Sequence, residues 1–277
     1  SAGVRNPTLT DQYLNLNVGR ATLLGNLDGY KDLYTLDSFI DYLESSFSTP
    51  LSFVDLDPIK PERVKTIEAG YRTTLFEKIY LDANYYYNIY NDFIGFKLLV
   101  DAEIDDLTGF PTNVDVFRIS SNSDNEVTTQ GFSIGANYYF GQYYQFAGNY
   151  SWNKLNKVFE DDPIIPAFNT PEHKYNLGIS GRNIPLNWGN FPAKKLGFNM
   201  NYKWVQGFLF EGSPQFTGFI EDYGLLDAQI NFDFSKINTI LKIGASNVLD
   251  NKVFQTYGGP RIGRLGYISL LYEFEKK

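Results

Sequence analysis

Residues 226–234 read Leu-Asp-Ala-Gln-Ile-Asn-Phe-Asp-Phe, a strict alternation of apolar and polar side chains. Successive side chains of a β-strand point to opposite faces of the sheet, so this segment places hydrocarbon on one face and amides and carboxylates on the other. Nine segments of the chain follow this period, and they are long and rich in aromatic residues. Such strands, repeated along one chain, are typical of a transmembrane β-barrel.

The connections between these segments alternate in length. Short turns follow residues 75, 140, 183 and 234, whereas longer connections, richer in Asp, Pro and Gly, follow residues 100, 158, 208 and 248. Outer-membrane barrels have short periplasmic turns and longer extracellular loops. A soluble sandwich has no reason to sort its loops in this way. The sequence therefore predicts an all-β fold, a transmembrane antiparallel β-barrel with long extracellular loops.

The composition agrees with this fold and excludes several kinds of site. Aromatic residues make up 17% of the 277 residues, which suits aromatic girdles at two membrane interfaces. Cysteine is absent and His173 is the single histidine, which excludes disulfides and thiolate metal sites and removes most other metal and triad chemistry. The formal net charge of −8 disfavours nucleic acid as a partner. No run approaches the ~18 apolar residues of a transmembrane helix.

Two regions follow from the pattern. Residues 1–63 lack the alternation and are predicted to be an extracellular loop region, with a short amphipathic helix near 36–46 that either packs on its own loop or forms part of a ligand-facing lid. Residues 64–277 are predicted to form the C-terminal strands of the barrel. One long strand is expected over about 114–140, followed by a two-residue hairpin turn at Gly141-Gln142.

The polar face of the predicted strands is expected to be a hydrated lumen wall. The candidate lumen-facing residues are Glu68, Arg72, Asp82, Asn84, Asn149, Arg182, Asn199, Asn201, Lys203, Asp227, Gln229 and Asp233.

Little in the sequence indicates catalysis or a bound cofactor. Two acidic loops offer the oxygen ligands that Ca²⁺ accepts, but neither has a defined calcium-loop spacing, and solvated loops are the favoured interpretation. A glycosidase-type carboxylate pair would need a cleft that the alternation does not predict. No enzyme activity and no catalytic, cofactor or metal site is therefore expected. The acidic residues in question are Asp101, Glu103, Asp105 and Asp106 in one loop and Glu160, Asp161 and Asp162 in the other.

Several motifs resemble those of TonB-dependent outer-membrane receptors. The ending Ala245-Ser246-Asn247-Val248-Leu249-Asp250-Asn251-Lys252, a Gly/Pro/Arg loop at 258–264 and a terminal strand reaching Phe274 resemble the closing signature of that family. Three further matches lie before predicted strands or at a loop opening: Pro171-Glu172-His173-Lys174, Pro61-Glu62, and Arg5-Asn6-Pro7-Thr8 followed by Gln12-Tyr13. The chain departs from the family in continuing past Phe274 with Glu275-Lys276-Lys277.

The resemblance implies a larger protein. Such receptors have about 22 strands around a plug domain, whereas this chain offers nine strands and the tail of a tenth. The chain is therefore expected to be a C-terminal portion, with the plug and the N-terminal strands absent. The strand at 64–75 is then expected to pair with a strand upstream of Ser1, and residues 1–277 alone should not give a stable barrel.

The resemblance also implies a function. A receptor of this family would import a nutrient such as a chelated metal, an oligosaccharide or a peptide across the outer membrane of a Gram-negative bacterium. Its expected partners are outer-membrane lipid, the TonB complex acting through the missing parts, and a surface lipoprotein cap in some relatives. The alternatives are a receptor-like barrel that serves as a structural subunit of a larger outer-membrane assembly, and a passive porin.

Overall fold

The computed structural model describes residues 1–156, 165–166, 168–189, 191–212 and 216–274. These described residues include two α-helices, α1 (Leu9–Tyr13) and α2 (Leu36–Glu44), and a 3₁₀ turn at Ser235–Ile237. The strands are β1 (Ala2–Arg5), β2 (Asn15–Asn17), β3 (Thr22–Leu24), β4 (Tyr30–Thr35), β5 (Phe53–Leu56), β6 (Glu62–Leu75), β7 (Ile79–Asn91), β8 (Ile94–Ile104), β9 (Pro111–Asn122), β10 (Val127–Phe140), β11 (Tyr144–Asn156), β12 (Ile165–Pro166), β13 (His173–Pro185), β14 (Lys195–Val205), β15 (Phe208–Phe210), β16 (Gly218–Ile220), β17 (Tyr223–Phe234), β18 (Thr239–Ser246) and β19 (Leu265–Tyr272).

Ten strands form one antiparallel sheet, named here the barrel sheet. Its order is β1-β6-β7-β10-β11-β13-β14-β17-β18-β19, so its strands follow one another across the sheet in the order in which they occur in the chain. The alternating segments predicted as strands lie in this sheet, but β10 alone represents the strand predicted over 114–140. The sheet does not close on itself within the described part of the chain, where β1 and β19 are its two edges.

The start of β6 has a strand neighbour within the chain, since its first residues pair with β1, from Ala2 opposite Lys65 to Arg5 opposite Glu62. Pairing of residues 64–75 with a strand upstream of Ser1 stays a prediction. The chain returns to the barrel sheet after its first loop region, which brings β6 antiparallel to β1.

The predicted strand over 114–140 is wrong, since the chain breaks there into β9 and β10. The run Ser120-Ser121-Asn122-Ser123-Asp124-Asn125 is rich in turn-forming residues and ends β9 at Asn122. β9 belongs to a different sheet from β10 and pairs with β8 in a hairpin. The segment after β7 that was expected to be an acidic loop is therefore largely β-structure.

The second sheet, named here the loop sheet, contains seven strands in the order β2-β3-β9-β8-β4-β5, with β12 also paired to β8. Most of its pairs are antiparallel, but β3 runs parallel to β9. Both faces are covered: Leu33, Leu56, Leu99 and Ile119 form a core on one face, and Val100 packs on the other with Phe39 of α2. Residues 1–63 therefore contain strands of both sheets as well as the helix, in place of a simple loop.

The four connections predicted to be short lie at one end of the barrel sheet and the long connections at the other, named here the turn end and the loop end. The connection predicted as a short turn after residue 183 spans residues 186–194 and is longer than the other three. The turn after β10 spans residues 141–143, one residue longer than predicted. The turn after β6 places Phe76 and Glu77 in the left-handed region, at φ of 52° and 56°. Two consecutive left-handed residues give the turn a backbone twist that matches the twist of the flanking strands in a tight hairpin. Among the described residues, no helix has the length and apolar character needed to cross a membrane.

Candidate functional site

The strand register places the predicted lumen-facing residues on one face of the barrel sheet, named here the polar face. Residues directly opposite each other in an antiparallel ladder share a face. Asn199 lies opposite Gln229 and Asn201 opposite Asp227. The registers of the neighbouring strand pairs place the other candidate residues on this same face. Arg182 lies within β13, at the register shift between Gly181 and Ile184, and lines the same cavity as Asn199 and Gln229. That this face borders a lumen stays a prediction.

Polar side chains on this face bond to one another across strands. Arg72 donates to Asp82 with a shortest N–O distance of 2.8 Å, and Asn84 donates to Glu68 Oε1 at 2.6 Å. Farther along the sheet, Asn176 donates to Asn149 at 2.9 Å. These groups are largely exposed, so each pair contributes little to stability. Together they form a hydrogen-bonded surface on the polar face.

Two tyrosines lie across glycines on the polar face, an arrangement that sequence analysis missed. The Tyr267 hydroxyl donates to Gln229 Oε1 at 2.8 Å and occupies the space where a Cβ on Gly244 would stand. The Tyr86 hydroxyl likewise occupies the space of a Cβ on Gly131 and donates to Asn153 Oδ1. A glycine directly opposite or diagonal to a tyrosine in a polar position is the sequence signal for such packing.

Two cavities open on the polar face. One, of about 340 Å³, is lined by Arg182, Asn199, Gln229 and Tyr267 among others. The other, of about 280 Å³, lies over the amides of Asn149, Asn176 and Asn201 and beside Asp82. Both would accept a polar side chain or a hydrated ligand.

The opposite face, named here the apolar face, has the properties of a membrane-bordering surface. The residues expected to face lipid, Phe198, Met200, Tyr202, Phe232 and Ile243, all fall on it by register. Met200 and Ile243 are 44% and 41% exposed, although both are large apolar side chains. Such exposure is stable when the surroundings are hydrocarbon.

Aromatic side chains form two bands on the apolar face. At the loop end, Tyr150 packs on Phe132 and Trp204 stacks on Tyr175, with ring centroids 5.6 and 5.4 Å apart. A second band at the turn end has as members Tyr138, Phe140, Tyr144, Phe191, Phe198, Phe232 and Phe234. Between the bands lie mainly aliphatic side chains, among them Leu177, Ile179 and Met200. This distribution is that of a barrel with an aromatic girdle at each interface.

The long connections join one another at the loop end. Asn169 and the backbone of Glu211 exchange two hydrogen bonds of 2.9 and 2.8 Å, and β12 extends the edge of β8. Arg118 of the loop sheet is 9% exposed and lies over the Phe96 ring at 3.8 Å. Burial lowers the pKa of Arg118, an effect that the charge of Glu211 opposes. The loops therefore form a connected layer.

A charged cavity of about 470 Å³ lies where the loop sheet meets β6 and β7. Arg63 pairs with Asp92 at 2.6 Å, and the buried Lys97 ammonium lies 3.4 Å from the exposed Asp124 carboxylate. Sequence analysis missed this cavity because β8 and β9 were expected to be a loop and part of a longer strand.

The acidic loop residues are engaged by their own backbone. Asp105 Oδ1 accepts hydrogen bonds from Leu107 and Thr108, which lower the pKa of Asp105. Glu103 accepts from Asn113. No cluster of three or more acidic or histidine side chains that could hold a metal ion occurs among the residues that the structure describes. Glu160, Asp161 and Asp162 lie outside those residues, and the expectation that both acidic loops are solvated and bind no metal stays a prediction.

The single histidine has a structural environment. His173 Nδ1 lies 2.6 Å from the Tyr150 hydroxyl, and its backbone N–H donates to Gln206. The preceding Glu172 accepts from the indole N–H of Trp152 at 3.0 Å. These contacts tie the start of β13 to β11 and explain the Pro-Glu-His-Lys motif without chemistry at the imidazole.

The closing motif is held together by local hydrogen bonds centred on Asn247 and Asp250. Asn247, at φ 51° and 6% exposed, accepts from the Asn251 N–H and donates to the carbonyls of Asn251 and Ile262. Asp250 accepts from the Arg264 N–H, which lowers the pKa of Asp250. The motif therefore holds the last long loop between β18 and β19.

A family model described as the TonB-dependent receptor-like β-barrel matches residues 1–248. The chain belongs to the TonB-dependent receptor β-barrel family. The match covers the barrel strands β1 to β18 and the loop sheet. The ten-stranded sheet is thus a part of that barrel, and the predicted fold class is confirmed.

Solved structures of this family share the fold. The FrpB iron transporter from Neisseria meningitidis (F3-3 variant) matches with a TM-score of 0.53 at 14% identity, covering 79% of this chain and 32% of its own. The copper transporter OprC gives 0.56 at 15% identity, covering 79% and 32%. The siderophore receptor PirA from Acinetobacter baumannii gives 0.52 at 17% identity, covering 81% and 34%. The chain thus spans about a third of the length of these structures. No curated relative matches the sequence significantly.

Proposed function

We propose that this chain is the C-terminal portion of the barrel of a TonB-dependent importer in the outer membrane of a Gram-negative bacterium. The observation that carries the proposal is the family match over residues 1–248. The two-faced barrel sheet supports it, since a polar wall with cavities suits a hydrated lumen and a banded apolar face suits lipid.

The cargo is proposed as a class: a nutrient such as a chelated metal, an oligosaccharide or a peptide. The similar structures are titled an iron transporter, a copper transporter and a siderophore receptor. At 14–17% identity they bear on the fold alone. The connected loop layer at the loop end, which includes the buried Arg118, is where a ligand arriving from outside would first make contact.

The proposed partners follow from the same assignment. Outer-membrane lipid borders the apolar face. The TonB complex would act through a plug domain enclosed by the complete barrel, and a surface lipoprotein would cap the loop end. This chain itself is proposed to bind and enclose cargo and to catalyse no covalent reaction.

The function is tested in the native bacterium. A strain lacking the gene is compared with wild type on media in which one chelated metal, oligosaccharide or peptide is the growth-limiting nutrient. An importer predicts a growth defect on one nutrient, reproduced by deleting TonB. A defect in outer-membrane assembly that is the same on every nutrient and independent of TonB would favour the structural-subunit alternative.

A further inference from the structure

The apolar face of the barrel sheet contains a groove of about 480 Å³ between the two aromatic bands. Its floor is the pair Ala136 and Gly148, which lie directly opposite each other on β10 and β11. Both neighbouring rows are bulky, since Ile134 lies opposite Tyr150 on one side and Tyr138 opposite Phe146 on the other. Two small residues in one rung therefore open a channel across the strands.

Apart from Asn149, the remaining lining is apolar or aromatic. Leu177 of β13 lies opposite Gly148 and continues the rung, and Tyr175 extends the wall beside Tyr150. The Tyr150 hydroxyl, the polar group of the loop-end wall, is already bonded to His173. The groove thus offers aliphatic carbon and ring faces, with no charged side chain among its lining residues.

We infer that this groove holds one acyl chain of a membrane lipid, an inference that rests on the outer-membrane assignment proposed above. The face borders hydrocarbon in a transmembrane barrel, and the position between the aromatic bands places the groove at the depth of the acyl chains. Its volume falls in the range of ~300–1,000 Å³ typical of sites that bind small ligands. In lipid, where burial itself gives no driving force, close van der Waals packing in such a recess distinguishes a held chain from its mobile neighbours.

The groove is also tightly built at its floor. A Cβ added at Gly148 would lie 3.2 Å from Leu177 Cδ2, so the glycine lets the Leu177 side chain lie across it. Ala136, by contrast, already carries a Cβ, and a longer side chain there would extend outward into the groove. Ala136→Leu is therefore the variant that fills the groove with the least disturbance of the ladder.

The test uses the full-length receptor purified in mild detergent, with palmitoyl-oleoyl-phosphatidylethanolamine added as the probe. Native mass spectrometry measures the fraction of receptor that retains lipid. Ala228→Leu is the matched control, because Ala228 lies on the same face, opposite Met200, and does not line the groove. The expected result is retention by wild type and A228L and about tenfold weaker retention by A136L, since the chain loses its contacts with the floor.

Other outcomes would overturn the inference. Equal retention by the three proteins would show that the groove holds no lipid. A wild-type dimer that A136L dissociates, with no lipid recovered from either, would show that a second copy fills the groove. Folding of each variant is checked by heat-modifiable migration in electrophoresis; if A136L fails this check, Ala136→Val replaces it with the same expected direction.

Discussion

The guanidinium of Arg5 donates to the Glu62 carboxylate at 3.1 Å, across 57 residues of sequence. Glu62 is nearly buried and also accepts the backbone N–H of Ile94 at 2.9 Å. One carboxylate therefore joins β1 and β6 of the barrel sheet to β8 of the loop sheet. Two motifs that resemble those of the family, Arg5-Asn6-Pro7-Thr8 and Pro61-Glu62, meet in this contact.

Replacing Glu62 by alanine should destabilise the folded protein by about 1–3 kcal/mol, because the buried Ile94 N–H loses its acceptor. Glu62→Gln keeps an acceptor and should recover part of the loss. Urea unfolding of the full receptor in vesicles, followed by tryptophan fluorescence, measures the difference. The control is Lys60→Ala, which removes an exposed ion pair with Asp57 and should leave the unfolding midpoint unchanged. An unchanged midpoint for E62A would show that the contact is unimportant.

Charge placed on the apolar face should be far more costly than on the polar face. Met200→Arg is expected to destabilise the barrel by about 2–4 kcal/mol, because the guanidinium would enter hydrocarbon near mid-membrane. Asn199→Arg, one residue away and on the opposite face, should cost much less. Unfolding from vesicles compares the two variants. A larger effect at Asn199 would mean that the two faces have been assigned the wrong way round.

Two substitutions at Asn247 in the closing motif separate the cost of backbone strain from the loss of hydrogen bonds. Asn247→Gly removes the side-chain hydrogen bonds but adopts the positive φ without strain. Asn247→Ala removes the same hydrogen bonds and is also strained at the positive φ. The alanine variant should therefore be less stable than the glycine variant by about 1–2 kcal/mol. Thermal unfolding of both variants, monitored by heat-modifiable migration, gives the comparison. Equal stabilities would show that the left-handed backbone at Asn247 carries no cost.

The last long loop should loosen in acid. The hydrogen bond from the Arg264 N–H, with the nearby Lys252 and Arg264 charges, lowers the pKa of Asp250 in the folded state. Its stabilisation is therefore present above the unfolded pKa of about 3.9 and is lost as the pH falls through the lower folded value. Acid-stable pepsin should cut residues 251–263 faster as the pH falls below about 4, and the Asp250→Asn variant should show a weaker pH dependence in that range. An identical pH profile for wild type and variant would show that protonation of the Asp250 carboxyl does not loosen the loop.

The barrel strands could be predicted from sequence because one face of the sheet is apolar and the other polar, which imposes a period of two and fixes the register. The polar-face residues follow from the same period. β8 could not be predicted in this way, because the loop sheet is covered on both faces and Leu98-Leu99-Val100 forms a continuous apolar run. The contacts of Arg5 with Glu62 and of Asn169 with Glu211 join distant segments, and no local pattern encodes them.

The topology of the barrel sheet is tested most directly by cysteine labelling on intact cells, since this chain contains no cysteine of its own. Asp106→Cys lies in the β8–β9 turn at the loop end, and Lys78→Cys lies in the short turn after β6. A large, membrane-impermeant polyethylene-glycol maleimide should modify the cysteine at 106 on intact cells and the one at 78 only after the outer membrane is permeabilised. Modification of the cysteine at 78 but not at 106 on intact cells would contradict the assignment of this chain as an outer-membrane barrel with its long loops outside.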